Sequence, residues 1–278
     1  MNALAALVSR EMKKWYRRRI AILFTFVTPL FWLALFGKSM NLYKLFKIPD
    51  TVPPQFINII QEAIDQIIIA AFGTKDYFTF LATGMFSVFI LFSSMFSGMS
   101  IIFDRRLGYL SRLLVSPVKR EIIFLSRVIA STIRNLLQFT ALFIIALALG
   151  LNIGPGFGPA NLIVMYIVLC ILSIAFSSIF ITVSLKIEEH DTAIAISNLL
   201  NLPLMFASNS LFPKEQMPIW LQIFAEINPL THSNILIRTL VIEGSISLPI
   251  VSLTYLTTIA VIAIIVGIAL SRKILQHL

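Results

Sequence analysis

Charge is scarce in this chain. Of its 278 residues, 13% are Asp, Glu, Lys or Arg and 58% are hydrophobic, with a mean hydropathy of +0.91. Water-soluble domains carry about a quarter charged residues, so a soluble fold is excluded: it could not hide this much apolar surface. Cysteine is scarcer still. Cys170 stands alone inside an apolar run, which rules out an internal disulfide and favours a small buried apolar role over a redox one. No stretch reads G-x-x-x-x-G-K-[ST], so no loop of that kind can cradle nucleotide phosphates. The three histidines, His190, His232 and His277, are scattered, and nothing spells a metal site or a nucleophile beside its base. No catalytic, cofactor-binding or metal residue is assigned. The apolar runs also lack the buried charges of an ion-coupled carrier; Arg134 is the main exception, expected to snorkel to the interface rather than serve transport.

What is present is apolar length. Charge-free runs occur at Ile20–Gly37, Tyr77–Phe103, Asn135–Leu185, Thr192–Pro213 and Gly244–Ser271. A transmembrane helix needs about 20 residues, so the third run holds two spans. Its interior, Asn152–Asn161, is dense in Gly and Pro and should turn the chain between them. The expectation is an all-α membrane protein with six spans near 20–40, 77–103, 128–151, 161–185, 192–212 and 249–270. The N-terminus is basic and then apolar, but no A-x-A-like site follows, so Ile20–Gly37 is expected as a retained first helix.

Six crossings place both termini on one side, and that side holds 16 of the 22 Lys and Arg residues. Basic residues near span ends resist translocation, so both termini are expected in the cytoplasm. The basic balance then needs anionic lipid and no nucleic acid.

Residues 1–19 place Leu4, Leu7, Val8, Met12 and Trp15 at helical spacing among basic residues, which suits a helix lying in the cytoplasmic interface; it reads equally as an orientation signal. Residues 20–278 form the membrane domain. After Pro53-Pro54, a face of Phe56, Ile57, Ile60, Ala63, Ile64, Ile67, Ile68 and Ala71 predicts an extracytoplasmic surface helix packed on the bundle. The segment Phe103–Arg120 combines basic residues, Gly108, a Leu-rich turn and Ser116-Pro117. Leu110, Leu113 and Leu114 would be left unburied in an ordinary loop, so they are expected to enter a partner's groove. The second cytoplasmic loop, Lys186–Asp191, is acidic through Glu188, Glu189 and Asp191. It either offers an anionic contact or places acids at a helix N-terminus. Prolines 213, 218 and 229 bracket an apolar stretch, Ile219–Ala225, too short to cross, which predicts a re-entrant pair of short helices.

With these features in place, the chain resembles the ABC-2 integral membrane subunits, especially the daunorubicin-resistance-type permeases of bacteria and archaea. The resemblance rests on Gly108-Tyr-Leu-Ser-Arg-Leu-Leu-Val-Ser-Pro117 after the second span, on Leu211-Phe-Pro-Lys-Glu-Gln-Met-Pro-Ile-Trp-Leu221, and on Asn228-Pro-Leu-Thr231 with Arg238. One departure is Ser208-Asn-Ser210, where many relatives carry a Ser-Gly pair. The resemblance implies a non-catalytic, multi-pass subunit of a prokaryotic cytoplasmic membrane. It would be paired with a second membrane subunit, in a homodimer, and with two separate ATPase subunits that carry ATP and Mg. It implies that Asp104–Ser116 is the coupling helix, with Arg105, Arg106, Gly108, Leu110, Leu113, Leu114, Ser116 and Pro117 facing the ATPase and Glu188 and Glu189 in a lesser contact. It further implies that the outer helices close the pathway, with Phe212, Pro213, Pro218, Trp220, Asn228 and Pro229 at an outer gate. The expected function is export of an amphipathic or hydrophobic substrate, drug-like or lipid-like. Export of a polysaccharide or lipid-linked glycan, an ion-coupled carrier and a membrane assembly subunit are the rival readings.

Overall fold

The computed structural model describes residues 3–17, 19–37, 54–187 and 189–276. Regular structure among the described residues is helical throughout. In chain order the helices are α1 (Ala3–Tyr16), α2 (Arg19–Phe31), α3 (Pro54–Phe72), α4 (Tyr77–Arg106), α5 (Tyr109–Val115), α6 (Arg120–Ala148), α7 (Pro159–Leu185), α8 (His190–Phe206), α9 (Ile219–Glu226), α10 (Pro229–Val241) and α11 (Ile250–Ile274). A π-helical segment, Trp32–Gly37, follows α2, and a 3₁₀ turn, Lys214–Gln216, precedes α9.

Among the described residues, four segments are long and apolar enough to cross a membrane: Asn58–Arg106, which runs through α3 and α4, Arg120–Ala148, Pro159–Leu185 and Ile250–Ile274. The other two expected spans are shorter here. The first is α2, which loosens into the π segment at Trp32. The fifth is α8, which carries Pro203 and ends at Phe206 instead of continuing to 212. The break expected within Asn152–Asn161 is present. Gly158 precedes α7, Pro159 opens it, and the Asn161 side chain accepts from the Gly158 N–H (3.1 Å).

α4 is the axis of the bundle. Residues Tyr77–Leu91 are all buried, as befits a helix that is hydrophobic all round. At about 1.5 Å per residue its 30 residues span roughly 45 Å, so its two ends mark opposite ends of the molecule. It packs on α6, α7, α8 and α10. The helix α8 meets it along Ala193, Ser197, Asn201 and Met205, a strict four-residue repeat. Of the face on α3 expected to pack on the bundle, Ile64 and Ile68 are buried, while Ala63 and Ile67 turn outward. Phe56, Ile57 and Pro53 lie outside the described side chains.

Close approaches fix the helix registers. A Cβ on Gly84 of α4 would overlap the Ser210 carbonyl, so the backbone at Ser210 approaches α4 closely at a glycine of α4. A Cβ on Gly267 of α11 would overlap the Phe124 ring of α6. α11 touches the bundle along Ser252, Leu256, Ala260, Gly267 and Ser271, while Ile250, Val251, Val261, Ile262 and Ile265 face outward.

Where α4, α6 and α7 meet, hydroxyls and amides replace the apolar core. Asn135 Nδ2 donates to Ser94 (2.9 Å) and Ser173 (2.8 Å), and its Oδ1 accepts from Ser93 (2.6 Å). Ser131 bonds Ser177 (2.7 Å) and Ser97. Small residues let helix backbones approach, and their hydroxyls then need partners that only neighbouring helices can supply. Arg134 joins the same network through Nη2 to Ser97 Oγ (3.0 Å), with Nε on the Ala130 carbonyl (3.2 Å).

Candidate functional site at the two ends of the bundle

At the α1 end, α4 stops at Arg106 and Gly108 turns the chain into α5 with φ +66°. That left-handed conformation is open to glycine, and nothing crowds the position, so the backbone angle is the reason for the residue. Ser116, in extended conformation, ends α5 by donating its hydroxyl to the Leu113 carbonyl (2.6 Å), and Pro117 follows exposed.

Leu110 is only 2% exposed. It sits in an apolar cluster with Ile101, Ile123, Phe124, Ile181 and Leu185, and Leu113 and Leu114 pack half-buried against that cluster. The apolar side chains this turn leaves outward are Leu107, 74% exposed, and Val115, 90% exposed, with Arg106, Ser111 and Arg112 beside them. Arg105 turns toward the second loop, where Nη2 donates to the Leu185 carbonyl (2.7 Å) and Nη1 to that of Ile187 (3.3 Å). The two predicted contact loops are thus brought together. Glu189 is exposed and precedes α8, with its carboxylate accepting from Thr192 (3.0 Å); this is the helix-start placement for an acid. Glu188 lies outside the described residues.

Beneath α5 is an ion cluster that hydropathy reading missed. Asp104, 1% exposed, accepts from Arg127 of α6 (2.7 Å) and from Lys14 (2.8 Å) and Arg10 (3.1 Å) of α1. Glu11, also buried, pairs with Arg10 (2.6 Å) and faces Arg127 at 3.9 Å. The Arg10 guanidinium stacks 3.3 Å over the Tyr109 ring of α5. Burial works to lower the Arg10 pKa; the hydrogen bond and charge of Asp104, backed by Glu11, offset this and raise it above the ordinary value. Two of the α1 cations expected to face lipid headgroups therefore face inward. The signal that could have found this was Asp104 itself, one acid at a span end amid basic residues.

At the other end, Asn228 is buried. Its Nδ2 donates to the carbonyls of Leu204 and Ala207 (2.7 Å each) and its Oδ1 accepts from Leu230 N (3.0 Å), so one side chain closes α8 and caps α10. Pro229 follows, buried, at the first position of α10. Pro213 is buried, whereas Phe212, Pro218 and Trp220 are exposed. Ile219, Trp220, Ile223, Phe224 and Ile227 form an outward apolar face on α9. Lys214 holds Glu226 (2.7 Å), and that hydrogen bond lowers the carboxylate's pKa.

His232 joins three helices: Nε2 donates to the Glu226 carbonyl (2.8 Å), Nδ1 meets Ser252 Oγ (3.1 Å), and the ring lies 4.1 Å from that of Tyr255. Deeper lies Arg238, whose Nη2 donates to the carbonyls of Asn209 (2.8 Å) and Phe80 (3.3 Å), with its guanidinium 3.6 Å over the Phe80 ring. Burial pushes Arg238 down to about 9. Among the described residues no group of three or more His, Cys, Asp or Glu could hold a metal ion.

The model of the ABC-2 type transporter family matches residues 2–242. The chain is 30% identical, over 234 residues covering 84% of it and 72% of the relative, to a protein of Cyanophora paradoxa named as a transport permease, ycf38. It is 22% identical over 161 residues, 58% of this chain and 56% of the relative, to the daunorubicin resistance ABC transporter permease protein DrrB1 of Streptomyces coeruleorubidus. It is 25% identical over 178 residues, 63% of this chain and 66% of the relative, to nodulation protein J of Rhizobium leguminosarum bv. trifolii.

Proposed function

The chain belongs to the ABC-2 type transporter family as its non-catalytic, multi-pass membrane subunit, with ATP hydrolysis on separate subunits, and from that premise we propose that it exports an amphipathic or hydrophobic substrate. In this reading two copies of the chain pair with two ATPase subunits that hold ATP and Mg, in a prokaryotic cytoplasmic membrane. The helices α2 and α8 complete six crossings, both termini are cytoplasmic, α1 lies in the interface, and α9 and α10 dip into the outer leaflet.

The observation that carries the coupling assignment is Arg105 tying the α4–α5 turn to the 185–187 carbonyls. It makes one surface of two loops and turns Leu107 and Val115 outward from it. Movement of a seated ATPase would then act on α4 and α6 together, because Asp104 and Arg127 lock them to α1 just beneath. Nonpolar spans rich in Phe favour an apolar cargo body over a long polar glycan.

The test replaces Leu107 and Val115 with Asp and measures co-purification with the ATPase and its stimulated hydrolysis. Both should fall while the variant remains folded. Leu110→Asp should instead impair folding, since its burial is internal. Unchanged co-purification in L107D/V115D would sink the coupling assignment.

A further inference from the structure

Arg238 is a half-buried cation with no carboxylate in contact. Among the described residues its hydrogen bonds both leave from Nη2, to main-chain oxygens, and no carboxylate pairs with it. Nε is shut away with no partner, and so is Oδ1 of Asn234, one helical turn earlier on α10. Glu215, exposed on the 3₁₀ turn, acts on the guanidinium through space without contact. Two carbonyls need two N–H groups and no charge, and a neutral amide would serve them at far less desolvation cost. A guanidinium kept in such a place, and left half-buried rather than sealed, has a use for its charge.

We infer that Arg238, packed among the buried Tyr77, Phe80, Asn209 and Asn234 and itself only half-buried, is a recognition point for the anionic headgroup of an amphiphile. Phe80 stacks on the guanidinium and holds its plane. Arg238 Nη1, which makes no hydrogen bond among the described residues, is the donor left for a phosphate or carboxylate oxygen. The apolar side chains of α9, outward at the same end of the bundle, suit the tail. As a statement about cargo the inference rests on the permease reading above; as a statement about binding it concerns this chain alone.

The experiment titrates the purified full chain in neutral detergent with dioctanoyl phosphatidate or dioctanoyl phosphatidylcholine and counts bound lipid by native mass spectrometry. Wild type should prefer phosphatidate by about tenfold or more, the scale of one charge-assisted hydrogen bond. Arg238→Met should erase the preference. Asn234→Asp should erase it too, by placing a carboxylate one turn before the arginine as a built-in counter-ion; that variant decides the matter if Arg238→Met does not fold. Displacement by excess inorganic phosphate would identify the anion alone as sufficient ligand, and its absence would assign the site to the intact amphiphile. No preference in wild type, or a preference surviving in both variants, overturns the site. Binding intact but no ATP-driven phosphatidate flux with the ATPase present would overturn the cargo reading alone.

Discussion

Replacing Asp104 with Asn tests whether the buried ion cluster fastens α1 to the bundle. The carboxylate is enclosed, and its best partner, Arg127, is 4% exposed at 2.7 Å. Removing one member of a buried pair costs about 3–5 kcal/mol, because the other charge is left uncompensated. Arg10 and Lys14 are 31% and 20% exposed, so each adds about 0.2–1 kcal/mol at most, and these contributions overlap. Asn keeps the shape and one acceptor, and Glu11 stays 3.9 Å from Arg127. The expected loss is therefore about 3 kcal/mol, near the lower bound.

Unfolding in mixed micelles, followed by circular dichroism, measures the loss, and hydrogen exchange locates it. The amides of α1 should exchange faster while those of α4 and α7 keep their protection. The double variant D104N/R127M should recover about half the loss, since it removes the stranded charge. Stability within about 0.5 kcal/mol of wild type, with α1 still protected, would refute the argument.

Gly84→Ala should destabilise by about 1–3 kcal/mol in the same assay, because its Cβ meets the Ser210 carbonyl, whereas Gly158→Ala, with open space around it, should be near neutral. Asn228→Ala should cost about 1–2 kcal/mol and increase proteolysis between α8 and α10, since two carbonyls and one N–H lose their partner together. Asn135→Leu should cost about 0.6–1.7 kcal/mol per lost interhelical bond, read by unfolding, and a neutral result would show the serines re-pairing among themselves.

Element identity was legible where backbone chemistry is local. The Asn152–Asn161 breakers placed the α6–α7 turn, and prolines 213, 218 and 229 placed the short helices between α8 and α11. Helix ends were less legible, because charge-free length says nothing about where Pro203 ends α8 or where α2 opens into a π segment. Leu110 could not be oriented from its spacing. A leucine bound for a partner and one bound for Phe124 and Ile181 share the same i, i+3, i+4 pattern, and only tertiary packing separates them. The polar seam around Asn135 was invisible for a related reason: serines and threonines barely lower mean hydropathy, so a run stays apolar on average while one face becomes a hydrogen-bonded network.

The contact between Gly267 and Phe124 limits how α11 can move. Sliding α11 along its axis by one turn would bring Ala263 or Ser271 under the aromatic ring, and either side chain brings the Cβ for which that spot has no room. Translation therefore requires the buried Phe124 ring to move aside, whereas a tilt about the glycine keeps the ring in place. Gly267 lies seven residues from Ile274 and seventeen from Ile250, so a tilt about it moves mainly the far end of α11, where Ser252 and Tyr255 meet His232. Any widening of the bundle on this side would then be angular.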